Sequence, residues 1–167
     1  AAVLKPRLCF TTLGTPDWNF EEIVKFAKAH QFEGLELRGI LRELDLTRCK
    51  EFSATQIGTT RRMVKDAGLK FAGLGASTGL HMKEPAERKK NLDEGRRFID
   101  LAAQIDCPAV RVFPNSFPKD QEKAVSIDLI AQGLSELAQH AKGSRVKVLM
   151  ESHGDVVHTD DIVSIME

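Results

Sequence analysis

The sequence has little that marks a special environment. Three cysteines in 167 residues, Cys9, Cys49 and Cys107, are widely spaced, odd in number and contain no CxxC. They fit free structural thiols rather than a disulfide framework or a cysteine zinc site. Net charge is also lacking: 24 Lys plus Arg stand against 24 Asp plus Glu. Neither the basic excess of a nucleic-acid binder nor an acidic tail is present, so nucleic acid is not an expected partner. No uncharged run is long enough to span a bilayer, and the opening AAVLKPRLCF lacks the apolar stretch of a secretory signal. A membrane is therefore not expected as a partner either, and the expected location is cytoplasmic. What is present is a chain 42% hydrophobic and 29% charged, the balance of an ordinary globular domain with a buried core.

Short β-type apolar runs alternate with longer amphipathic helical stretches. The strand candidates are Leu8 to Leu13, Gly34 to Arg38, Leu69 to Gly75, Ala109 to Pro114 and Val146 to Glu151, each followed by a helix candidate. Five βα units of this kind make a parallel sheet. Asn19 with Glu22 forms a capping-box pattern ahead of the stripe Phe20, Ile23, Val24, Ala27, and Ser53 with Gln56 repeats that signature for the second helix. The third helix carries Leu92, Phe98, Leu101, Ala102 and Ile105. The fourth carries Ile130, Leu134, Leu137, Ala138 and Ala141, with Gly143 as C-cap. No linker divides the chain, so residues 1–167 are expected to form one domain. Thr159 reads as an N-cap for a last stripe, Ile162, Val163 and Met166, that stops after about two turns. The expectation is a fragment that ends in the helix after strand five.

Two α/β architectures accept five units: a doubly wound flavodoxin-like sheet, or part of a (βα)8 TIM barrel, which typically needs about 250 residues. Side-chain parity separates them. Strands covered by helices on both faces are almost continuously apolar. Here Leu35 and Leu37 alternate with Glu36 and Arg38, Val110 and Val112 flank Arg111, and Val146, Val148 and Met150 alternate with Lys147, Leu149 and Glu151. One face is apolar and the other carries charge, as the upper interior of a catalytic barrel does. On this reading Glu36 and Arg111 face one interior and form an ion pair there. The expected fold is a TIM barrel of which about five βα units are present.

The segments Gly34-Leu35-Glu36-Leu37-Arg38, Val110-Arg111-Val112-Phe113-Pro114-Asn115 and Val146-Lys147-Val148-Leu149-Met150-Glu151-Ser152-His153-Gly154 resemble, in that order and spacing, the xylose-isomerase-like TIM-barrel superfamily of sugar isomerases and epimerases. The resemblance implies a divalent metal ion (Mn, Mg, Co or Zn) at the C-terminal mouth. Its ligands would be a glutamate from strand five, an aspartate from strand six, a histidine from strand seven and a glutamate from strand eight. Glu151 matches the first, and the others would lie beyond Glu167. It further implies that Glu151 doubles as acid or base. Removing a proton α to a carbonyl leaves an enediolate, which a hard cation stabilises while carboxylates move the proton. The expected partner is a small sugar or sugar phosphate, with a second copy of the chain left open.

Each candidate also has a plainer role. Glu151 could simply pair with Lys147 or an arginine. His153, on the same parity as Glu151, could orient substrate or cap loop backbone. Asp155 reads as a turn residue. Arg38, at a strand's C-terminal end, could contact a hydroxyl or phosphate or stand solvated at the rim. His81 lies in the loop after strand three, either over the substrate or on the surface. Trp18 could wall the sugar or pack on the first helix. Arg111 could bind substrate or shape the barrel. The run Gly73-Leu74-Gly75-Ala76-Ser77-Thr78-Gly79 has GxGxxxG spacing and lies in the third unit, so it reads as a strand-end loop rather than a dinucleotide fingerprint.

Rival functions fare worse. A multi-zinc endonuclease of the same superfamily needs histidines after strands three and four, where Ala76, Ser77, Pro114 and Asn115 stand. A phospho-receiver of the flavodoxin-like type needs an aspartate ending strand three and a lysine ending strand five, where Gly75 and Glu151 stand. A metal-dependent dehydratase of a keto-sugar or inositol derivative stays open, because it too begins with α-proton removal.

Overall fold

A computed structural model describes residues 6–167. Five strands, β1 (Cys9–Thr11), β2 (Gly34–Leu37), β3 (Lys70–Gly79), β4 (Ala109–Phe113) and β5 (Lys147–Met150), form one sheet in the order 1-2-3-4-5. Every neighbouring pair is parallel. That sequential order is the order of barrel staves. A doubly wound flavodoxin-like sheet has the order 2-1-3-4-5 and is thereby excluded. The helices α1 (Phe20–Ala29), α2 (Ile57–Asp66), α3 (Pro85–Gln104), α4 (Lys123–Ala141) and α5 (Thr159–Met166) follow their strands. The chain is thus a partial TIM barrel. No helix among the described residues is long and apolar enough to cross a membrane.

The parity argument carries over to the packing. Leu35, Leu37, Leu74, Val110 and Val112 are fully buried under the helices, meeting Ile23, Ala27, Phe98 and Ile130 in one core. Full burial of each aliphatic side chain is worth about 1.5–3 kcal/mol. The alternate residues Glu36, Arg111 and Leu149 face the concave side, where Leu149 is 48% exposed.

Local signals hold unevenly. At α1 the capping box forms as its residues dictate: the Glu22 amide donates to Asn19 Oδ1 at 3.0 Å, and Glu22 Oε2 accepts from the Asn19 amide at 2.8 Å. The second box does not form. Ser53 ends a short 3-10 turn and donates its hydroxyl to the Lys50 carbonyl, and α2 starts at Ile57 without a side-chain cap. Ser53 spends its oxygen on the turn behind it, so the cap signature is consumed locally. On α4, Ala138 is exposed and Gly133 takes the buried place. Gly143, at φ +90°, follows the C-cap Lys142 rather than occupying it. His158, not Thr159, precedes the first turn of α5. The first strand is shorter than expected because Thr12–Gly14 turn into a 3-10 helix, whereas β3 runs on to Gly79.

Candidate functional site

The C-terminal ends of β2, β3, β4 and β5 bring charged residues together on the concave side. Glu151 directly follows β5, and its amide continues the ladder by donating to the Val112 carbonyl at 3.2 Å. Its carboxylate, 47% exposed, lies with Oε2 2.9 Å from Nε of Arg111. Arg111 is central in β4, level with Gly75 of β3 and Leu149 of β5. Its side chain is only 15% exposed. Nη1 donates to the Ala76 carbonyl at 2.9 Å, and the guanidinium lies 4.0 Å from the centre of the Phe113 ring. The Nε–H is not aimed at the carboxylate: the contact is an ion pair by distance, and Nε has no hydrogen-bond acceptor among the described residues. Burial lowers the Arg111 pKa from its ordinary value, with Glu151 opposing, Arg38 adding to the fall, and Glu36 opposing.

His153 extends the row, its ring tilted on Phe113 at 4.4 Å. Glu151, Arg111, Phe113 and His153 are therefore continuous. Arg38 joins from β2. Its backbone amide and that of Gly39 are held by the buried Thr12 Oγ1 at 2.9 and 3.2 Å, which fixes where β2 ends. Its guanidinium donates to Ser77 Oγ at 3.1 Å and to the Gly75 carbonyl at 3.5 Å, and it pairs with no carboxylate among the described residues.

The interior ion pair is not the one expected. Arg111 pairs with Glu151, and Glu36 makes no salt bridge among the described residues. Register explains it: Glu36 is level with Gly73, two residues below the Gly75–Arg111 level. Trp18 stands apart from the cluster. It packs edge-on to Phe26 at 5.1 Å and against Phe10 at 6.2 Å, on the helix side of the sheet. Phe10 is in register with the buried Leu35, so parity sends this aromatic group toward α1. His81 is also outside the row. Its Nδ1 is buried without a partner, and burial lowers its pKa, opposed by the Pro114 backbone and the nearby Asp155.

Asp155 does more than turn the chain. Its amide donates to the Asn115 carbonyl at 2.8 Å, and its Oδ2 accepts from the Phe117 amide at 2.9 Å, clasping the loops after β4 and β5. Gly154, at φ +66°, fits this clasp because a Cβ there would lie 2.2 Å from the Asn115 oxygen. Asn115 itself has φ +64°. The Asn115–Gly154 clasp was not legible as function in the sequence; the only signal was the Asn and Gly themselves.

Two further observations bear on the site. A cavity of about 1040 Å³ opens at the N-terminal ends of the strands, beside Arg7, Glu33, Arg61, Lys70 and Asp106. There Arg7 is paired with Glu33 and Arg61 with Asp106. Because catalytic residues of parallel barrels sit at the C-terminal ends, volume alone does not move the site there. Second, no three His, Cys, Asp or Glu side chains gather to hold a metal among the described residues. Glu151 is a single carboxylate facing a cation, so these residues do not complete a divalent-metal site.

Comparison with known proteins agrees with the fold. The family model described as xylose isomerase-like TIM barrel matches residues 24–167. No curated protein sequence matches the chain. Among solved structures, a D-psicose 3-epimerase determined in the presence of D-fructose is similar, with TM-score 0.74, 13% identity, and coverage of 97% of this chain and 61% of that one. A probable 3-DHS dehydratase involved in petrobactin synthesis from Bacillus anthracis gives TM-score 0.70 at 19% identity, covering 96% of this chain and 58% of that one. A xylose isomerase-like TIM barrel protein from Mycobacterium smegmatis in complex with magnesium gives 0.67 at 17%, covering 98% and 60%. The chain thus spans about three-fifths of the length of these structures.

Proposed function

We propose that this chain, which belongs to the xylose isomerase-like TIM barrel family, carries the acid–base group of an enzyme that isomerises or epimerises a small sugar or sugar phosphate by α-proton transfer. The observation that carries this reading is the Glu151–Arg111 pair. Glu151 stands at the C-terminal end of a parallel strand, accessible enough to reach a substrate yet held beside a mostly buried guanidinium. A positioned carboxylate is what removal of a proton next to a carbonyl requires. The Arg111 guanidinium, mostly buried beside Glu151, supplies fixed positive charge next to the place where negative charge develops as the proton leaves. His153, two residues on, offers a second group able to carry a proton on the same side.

The epimerase and dehydratase among the similar structures support α-proton chemistry as the shared first step. A divalent metal belongs to the proposal as well, with Glu151 as one oxygen ligand and the remaining donors supplied from outside the described residues. The test is solvent-deuterium exchange in the whole protein. Candidate ketoses and sugar phosphates incubated in D2O are followed by NMR for deuterium at the carbon beside the carbonyl. We expect exchange with isomer formation, reduced at least about a hundredfold in Glu151→Gln, and Mn2+ binding weakened by the same substitution in calorimetry. Exchange coupled to loss of water would assign a dehydratase instead. Undiminished exchange in Glu151→Gln would remove the basis of the proposal.

A further inference from the structure

We propose that Arg38 and Arg111 together form an oxoanion subsite beside Glu151, so that the substrate carries a carboxylate or phosphate group in addition to its reacting carbonyl. The inference rests on the proposed α-proton chemistry for the position of the substrate, and it narrows the substrate class to anionic sugars.

Three observations carry it. The two arginines come from different strands and meet over Gly75: a Cβ at that position would lie 2.7 Å from Arg111 Nη2 and 3.0 Å from Arg38 Cδ. The missing side chain is what lets both occupy one place. Each also has unspent donors. Arg111 places Nε beside Glu151 and Nη1 on the Ala76 carbonyl, which leaves Nη2, the atom nearest the Gly75 position, without a hydrogen bond among the described residues. Arg38 meets only a hydroxyl at 3.1 Å and a carbonyl at 3.5 Å. Finally, like charges gathered in a half-buried place repel. Glu151 pairs with Arg111, Arg38 pairs with no carboxylate among the described residues, and Glu36 lies a level lower, beside Gly73. Guanidinium forks match the paired oxygens of a carboxylate or phosphate, which would take up the free N–H groups.

Inorganic phosphate is the first probe, measured by calorimetry on the whole protein. Two variants separate charge from geometry. Arg38→Gln removes one guanidinium at a rim position with few bonds to lose. Gly75→Ala keeps both charges and drives a methyl between them. Phosphate affinity is expected to fall roughly ten- to a hundredfold in each, the loss of one charge-assisted contact. Turnover is then compared on a neutral ketose, the corresponding sugar phosphate and the corresponding sugar acid. The KM of an anionic substrate should rise in Arg38→Gln by a similar factor while that of the neutral ketose stays put. Preference for the phosphate or the acid tells which anion the subsite serves. Equal phosphate affinity in wild type and both variants, or a neutral ketose turned over as well as either anion, would overturn the subsite. Absence of α-proton exchange on every substrate would sink the catalytic reading, while phosphate calorimetry would still decide the subsite.

Discussion

Replacing Arg111 with Met in the whole protein separates a positioning role from a structural one. The substitution removes the hydrogen bond to the Ala76 carbonyl, worth about 1.5 kcal/mol for a charged donor. It removes the stacking on Phe113, about 0.5–1 kcal/mol. The ion pair with Glu151 adds at most about 1 kcal/mol, because that carboxylate is 47% exposed and screened by water. Against these stands the desolvation of a cation only 15% exposed, a penalty of several kcal/mol for full burial and on the order of 2–3 kcal/mol here. The contributions nearly cancel. Urea unfolding should therefore show a stability change within about 1 kcal/mol, while the α-proton exchange rate drops at least about a hundredfold as Glu151 loses its partner. A double-mutant cycle with Glu151→Gln should give a stability coupling of no more than about 1 kcal/mol and strongly non-additive effects on rate. A loss of more than about 3 kcal/mol would make Arg111 a structural strut and refute the reasoning. Unchanged stability together with unchanged exchange would make it a bystander.

Three further outcomes follow from particular contacts. Gly154→Ala places a Cβ against the Asn115 oxygen at a positive φ, and should cost about 2 kcal/mol and slow exchange by displacing His153; a change under about 0.5 kcal/mol would mean the clasp is loose. Burial holds His81 below the ordinary 6.5, so the unfolded chain takes the proton first. The contribution of His81 is intact above about pH 6.5 and fades as pH falls below it. Between pH 7.5 and 5.5 the urea midpoint should thus drop further in wild type than in His81→Gln, and equal drops would exclude the effect. Burial pushes the Cys49 thiol up to about 12 and the Cys107 thiol up to about 11, so iodoacetamide at pH 8 should leave both unmodified in the folded protein and label both in urea. Labelling of either thiol in the native state, followed by peptide mass spectrometry, would contradict their burial.

The sheet was legible because its information is one-dimensional. Alternation at Leu35, Leu37, Val110 and Val112 says which side chains face helices, and burial under helices enforces it at every position. Five such runs separated by helical stripes leave the strand order as the remaining question, and the charged alternate face of the strands points to the barrel order 1-2-3-4-5 that the sheet has. Caps were legible only where nothing competed for the capping oxygen. Asn19 Oδ1 accepts from the Glu22 amide, whereas the Ser53 hydroxyl turns back to donate to the Lys50 carbonyl of its own preceding turn.

The site was legible by face and illegible by level. Parity puts Glu36, Arg111 and Glu151 on one side of the sheet without saying which stand opposite one another. That choice depends on a register shift between β2 and β3 at Leu35 and Glu36, which sets Glu36 against Gly73 rather than Gly75. No side-chain pattern announces such a shift, because Gly73 and Gly75 are identical to any periodicity. Once it is made, Arg111 finds an empty place at Gly75, a carbonyl at Ala76 and the carboxylate at the end of the next strand. The same glycine that admits Arg111 admits Arg38. The pairing that positions the proposed base and the convergence that forms the proposed oxoanion subsite thus both depend on Gly75, and Gly75→Ala should disturb the two together. If it weakened phosphate binding while leaving exchange on a neutral ketose intact, the base would be held by β4 and β5 alone.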